Sequence, residues 1–141
     1  MKNLRYTLED LKKAFNKLKE CVAMEPESYD LVVDATILRF EFTYELSLKI
    51  MKTYLKHKKN IDTDNPIKII EEAFKAGLIS QEYMWFNMIQ DRKITSFTYD
   101  EDNVVDLFND IAYRYVALFD DFIENMEIKL SDKELKLKNK E

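Results

Sequence analysis

The chain has 141 residues, of which 46% are hydrophobic and 35% charged, and its formal net charge is −5. That length fits one domain, and the hydrophobic share excludes a wholly disordered chain. One glycine and two prolines exclude a loop-rich or all-β protein, and the negative balance argues against indiscriminate nucleic-acid binding by the whole surface.

The opening Met1-Lys2-Asn3-Leu4-Arg5-Tyr6 lacks the apolar run of a signal peptide. No window reaches the roughly 18 apolar residues of a membrane span, so the expected location is cytoplasmic, without a membrane partner. Thr7-Leu8-Glu9-Asp10 offers a capping hydroxyl and an acidic first turn for a first helix. Leu8, Leu11, Phe15, Leu18 and Val22 then recur at spacings of three and four, the seam of a helix packed on others, until Pro26 stops it. The lone cysteine, Cys21, falls in this helix. It excludes an internal disulfide and a Cys-rich zinc site and reads as a small buried hydrophobe.

A second, longer helix is predicted from Ser28 to Lys58 with two apolar stripes. One is Leu31, Ala35, Leu38, Phe42, Leu46 and Ile50; the other is Ile37, Phe40, Tyr44, Leu48, Met51 and Leu55. Two apolar faces require cover on two sides, either from a central place in the bundle or also from a second copy of the chain. Glu41, Glu45, Lys49 and Lys52 form a charged face, with Glu45 and Lys49 in the favourable order for an intrahelical pair. The lysines at 49, 52, 56, 58 and 59 read as a solvated run. The sole histidine, His57, sits among them as a dipole-compensating residue.

Asn65 as cap and Pro66 at the first position begin a third helix. It closes at Gly77, the only glycine, with Leu78 folding back over the last turn. The fourth starts near Ser80 and carries Tyr83, Trp85 and Phe86. Its continuation, Ile94 to Tyr99, is rich in poor helix formers, which predicts a break near Thr95. Asp100 caps a fifth helix with the seam Val104, Phe108, Ile111, Tyr115, Leu118 and Phe122. The expected architecture is all-α: an up-and-down bundle of about five helices over residues 1–130, followed by a charged, frayed tail at 131–141. No Gly-rich phosphate loop, HExxH or histidine cluster is present, so neither a metal nor a cofactor is expected.

Three stretches carry a resemblance: Arg39 to Leu46, Glu72 to Ile79, and Asp91-Arg92-Lys93-Ile94-Thr95-Ser96-Phe97-Thr98-Tyr99. In that order and spacing the chain resembles the nucleotidyltransferase substrate-binding protein family, within the HEPN superfamily of helical bundles encoded beside minimal nucleotidyltransferases. RNA-cutting HEPN proteins share an Arg, four intervening residues, a His, one residue and a Tyr. Arg92, Lys93 to Ser96, Phe97, Thr98 and Tyr99 fit that spacing, but Phe97 stands where the family has histidine, and Lys93 where it usually has Asn.

The resemblance implies a homodimer bound to a cognate minimal nucleotidyltransferase, as substrate-binding subunit or toxin–antitoxin component. Arg92 and the vacated position 97 would be the catalytic positions, Tyr99 the residue adenylylated by the partner, and Asp91, Lys93 and Ser96 part of a cleft for partner or RNA. A guanidinium can stabilise a charged phosphorane, whereas Phe97 cannot exchange a proton, and loss of a general acid or base removes about 10²–10⁴-fold in rate. The motif therefore reads as a degenerate ribonuclease site. The alternative is a metal-independent ribonuclease toxin whose histidine has been replaced; a third reading is a plain dimeric adaptor. Without the resemblance, Arg92 reads as a surface ion pair with Asp91 or an acidic neighbour such as Glu82, and Tyr99 as a core residue with its hydroxyl at the rim. On an unbroken helix Phe97 points about 140° away from Arg92, so a joint site requires the break.

Overall fold

The computed structural model describes residues 2–24, 29–97 and 101–139, with side chains described over 4–24, 31–93 and 104–131. Pro26, Ser28, Thr98, Tyr99 and Asp100 lie outside the described residues, as do the side chains of Ser96 and Phe97. The helices are α1 (Lys2–Ala23), α2 (Tyr29–Lys59), α3 (Pro66–Lys75), α4 (Glu82–Phe97), α5 (Glu101–Asp110) and α6 (Val116–Asn139). A π-helical segment, Ile111–Tyr115, joins α5 to α6 without interruption, so these three form the expected fifth helix. No strand occurs among the described residues.

Local chemistry explains several boundaries. The Asn65 side chain accepts from the backbone N–H of Ile67 (3.0 Å) and Lys68 (3.5 Å), and Pro66 occupies the first position of α3, where no N–H is needed. At the other end Gly77 takes φ +78°. Its N–H bonds to Phe74 O (3.1 Å), and Leu78 N–H reaches Ala73 O (2.9 Å). This pair of reversed bonds satisfies carbonyls that α3 would leave open, and Leu78 is fully buried beneath the turn. α1 departs from expectation: it begins at Lys2, so Thr7 is inside the helix and not its cap. Leu4 is the reason, a buried core residue that extends the apolar seam one turn toward the N-terminus.

The core is aromatic at its centre. Trp85 of α4 meets Phe119 and Phe122 of α6 edge-on, at 5.7 and 5.8 Å between centroids. Phe15 of α1 and Phe40 of α2 pack on Phe119 at 6.1 and 6.2 Å. Ser80 donates to Asp121 (3.0 Å), and the Asn125 amide donates to the Leu78 carbonyl (3.0 Å), tying the α3–α4 connection to α6. Tyr83, expected with the aromatic cluster, is exposed, and Cys21 is only half-buried.

The two stripes of α2 have different fates. Phe40, Tyr44, Met51 and Leu55 are buried, with Ile37 and Leu48 packed at the core's margin. From the other stripe Ile50 is buried, but Leu31, Leu38 and Phe42 are 70%, 48% and 48% exposed. Between them runs a polar line absent from the expected core: Thr36, Thr43 and Ser47, all fully buried. Each hydroxyl donates to the carbonyl four residues earlier in the same helix, on Val32, Arg39 and Thr43, so no donor is left unsatisfied by burial.

Candidate functional site

Side chains of α2 and α4 meet around Arg92. Its guanidinium lies over the Tyr44 ring, 5.7 Å from the centroid, and forms an ion pair with Glu45. Glu45 is therefore engaged across the bundle, not in the intrahelical pair with Lys49 that its spacing suggests. Tyr44 is buried and provides a fixed platform, while the Arg92 side chain retains 40% of its exposure. Burial pushes the Tyr44 phenol up to about 12, against the pull of the Arg92 charge. The ring stays neutral at physiological pH.

Asp91, next in the chain, is half-buried and accepts a hydrogen bond from the Tyr115 hydroxyl at the end of the π-helical segment. Burial raises the Asp91 carboxyl above the ordinary carboxylate range, with the Tyr115 hydrogen bond opposing it. Burial first, then the bond to Asp91, raises the Tyr115 phenol far above its usual range. The Tyr115 ring stacks on Phe40 at 5.6 Å and 17°, and Phe40 in turn lies 6.5 Å from Tyr44. Asp91 and Arg92 thus grip two ends of one row of aromatic rings.

Of the other motif positions, Lys93 is exposed, and Ser96 and Phe97 lie on helical backbone. The expected break near Thr95 does not occur, because α4 remains helical to Phe97. Anchors at Asp91 and Arg92 hold the helix just before the weak helix formers, and tertiary contacts override propensity. Ser96 is one turn beyond Arg92, whereas position 97 falls about 140° around the unbroken helix from it, so Arg92 and position 97 do not share a face of α4.

Tyr44, Glu45 and Tyr115 were not foreseen as site residues. The only signal in the sequence was a pair of tyrosines inside otherwise apolar seams, whose hydroxyls need partners when buried. His57 lies in the last turn of α2, about 18 Å along the helix from Glu45 at ~1.5 Å per residue, too far to serve Arg92. Among the described residues no group of His, Cys, Asp and Glu is arranged to hold a metal. No described helix is long and apolar enough to cross a membrane. Chemically, a half-exposed guanidinium braced by a ring and a carboxylate can exchange that carboxylate for a phosphate oxygen.

The sequence profile of the nucleotidyltransferase substrate binding protein-like family matches residues 6–128. The chain belongs to that family. It is 35% identical over 99 residues to the probable ribonuclease HepT of Haemophilus influenzae, a match spanning 67% of this chain and 62% of that protein. The alignment therefore covers less than two-thirds of its relative's length. A solved structure from Haemophilus influenzae, with the fold of a nucleotidyltransferase substrate-binding domain, superimposes with TM-score 0.73 at 28% identity, covering 85% of this chain and 98% of that one. The tri-AMPylated HEPN toxin of Shewanella oneidensis, solved in complex with its MNT antitoxin, shares the fold at TM-score 0.74 and 15% identity, over 89% and 96% of the two chains. The all-α, HEPN-like architecture expected from the resemblance is the observed one.

Proposed function

We propose that this protein is the HEPN-type subunit of a two-component system, a homodimer that binds a cognate minimal nucleotidyltransferase and carries a degenerate ribonuclease motif. The observation that carries the reading is Arg92, seated on Tyr44 and half-exposed at the start of the motif, where it can hold a phosphate of RNA or nucleotide. Position 97 supplies no proton carrier, so binding persists while efficient cleavage is lost. The exposed Leu31, Leu38 and Phe42 supply an apolar face for the second copy.

In this reading the partner inactivates or marks the subunit at Tyr99. The phenolic oxygen attacks the α-phosphorus of ATP, the bond to pyrophosphate breaks, the phenol proton passes to solvent or a partner base, and AMP stays on the tyrosine. Incubation with ATP and the cognate nucleotidyltransferase is expected to add one adenylyl group to the Tyr99 peptide, measured by mass. Label confined to other tyrosines would remove Tyr99 from this role. The likeness to a probable ribonuclease keeps a second reading in play, a toxin whose histidine has been replaced by Phe97, and restoring histidine distinguishes the two.

A further inference from the structure

We propose that Tyr115 and Asp91 are a positioning pair for Arg92, with the π-helical turn as the device that aims Tyr115 at α4. The inference rests on the reading of Arg92 as a phosphate-binding residue. The turn closes with Val116 N–H on the Ile111 carbonyl, five residues back, where an α-helix would reach four. Ile111, Tyr115 and Phe119, each four residues from the last, lie on one buried line, and Tyr115 and Phe119 both pack on Phe40. The extra residue in that turn offsets the buried face of α5 from that of α6 by about 100°, which sets the side from which the Tyr115 hydroxyl meets Asp91.

Asp91 and Arg92 are adjacent, so their side chains leave α4 about 100° apart. The hydrogen bond from Tyr115 holds the Asp91 side, while Tyr44 and Glu45 meet Arg92 on the other. With both sides held, rotation of this turn of α4 is blocked and the guanidinium stays over Tyr44. With the Asp91 side released, this turn loses its hold on that side, and on the other the ion pair with Glu45 is half-exposed, screened by solvent and has to be displaced by a phosphate. A π-helical turn inside a helix is disfavoured unless something downstream uses it, and Tyr115 is the residue on which it ends.

The test measures binding of a short fluorescein-labelled single-stranded RNA by the full chain over a range of salt concentrations. Wild type is compared with Arg92→Ala, Tyr115→Phe and the double variant. Phenylalanine keeps the ring stacked on Phe40, and Asp91→Ala serves as an independent second release of the same bond. Arg92→Ala is expected to weaken binding about tenfold or more and to reduce the salt slope by about 0.7, one phosphate contact's worth for a single strand. Tyr115→Phe and Asp91→Ala should reproduce most of both changes, and the double variant should be no worse than Arg92→Ala alone. A general loss of packing would lower stability without removing one phosphate from the salt slope. If Arg92→Ala weakens binding while both release variants keep the wild-type slope, or if the effects add, the positioning role is overturned and the phosphate site stands. If Arg92→Ala changes nothing, the phosphate-binding reading fails and this inference fails with it.

Discussion

Arg92 can hold charge but cannot move a proton, and on the proposed reading the residue five places on decides whether the motif cuts RNA. Phe97→His places an imidazole with an ordinary pKa near 6.5 at the family's histidine position. With α4 unbroken, position 97 meets Arg92 only where the two copies of the proposed dimer pair their motifs. On that reading cleavage of a mixed RNA pool, with chelator present, is expected to rise by about 10²–10⁴-fold over the wild type, and Arg92→Ala in that background should abolish the gain. A folded Phe97→His no more active than the wild type would show that position 97 is not a vacated catalytic position. Asp91 offers a second test at this scale. Its carboxyl is raised by burial, so the folded state holds its proton more tightly than the unfolded state does. The stability this confers is present below the unfolded pKa and is lost as pH rises through the folded one. Urea titrations from about pH 4 to pH 7 should therefore show Asp91→Asn gaining on the wild type as pH rises; a gap independent of pH would contradict the assigned cause.

The caps of α3 are independent of the site and were legible in the sequence, because each is made by residues within one turn of the helix end. Gly77 is in the left-handed region, and a Cβ there would meet only the flexible end of Lys129 at 3.5 Å. The penalty of Gly77→Ala is therefore backbone strain, about 1–2 kcal/mol, and Asn65→Ala should remove about 1 kcal/mol. Both are measurable by urea unfolding, with RNA and partner binding unaffected. α4 is the opposite case. Ile94 to Phe97 are weak helix formers, yet the helix persists through them because Asp91 and Arg92 are fastened to Tyr115, Tyr44 and Glu45. Propensity is worth tenths of a kcal/mol per residue, and such contacts outweigh it.

For the whole molecule the open question is what covers α2. Leu31, Leu38 two turns later and Phe42 one turn beyond it share one face and remain exposed in the single chain. A second copy on this face would bury them, and each such side chain contributes roughly 1.5–3 kcal/mol when removed from water. Sedimentation equilibrium at micromolar concentration should report a dimer. Leu38→Asp combined with Phe42→Asp should weaken it at least about a hundredfold without unfolding the bundle, since neither residue belongs to the buried core. A wild type that stays monomeric there would remove the shared-face picture and leave the fold untouched.

What the sequence determined by itself was local or periodic. The helical class, the seams of α1 and α2, the cap at Asn65 and the closure at Gly77 all follow from residues within a turn or two of each other. The family likewise was carried by short stretches at readable spacings. Tertiary structure alone decided which stripe of α2 is covered, that Glu45 turns to Arg92 and away from Lys49, and that Tyr115 joins Asp91 across 24 positions of sequence. Periodicity records that a face is apolar but not what lies opposite it. A hydroxyl in an apolar seam signals that a partner is needed, and only the packed chain supplies which one, because the groups that satisfy it come from helices whose relative placement no local pattern encodes.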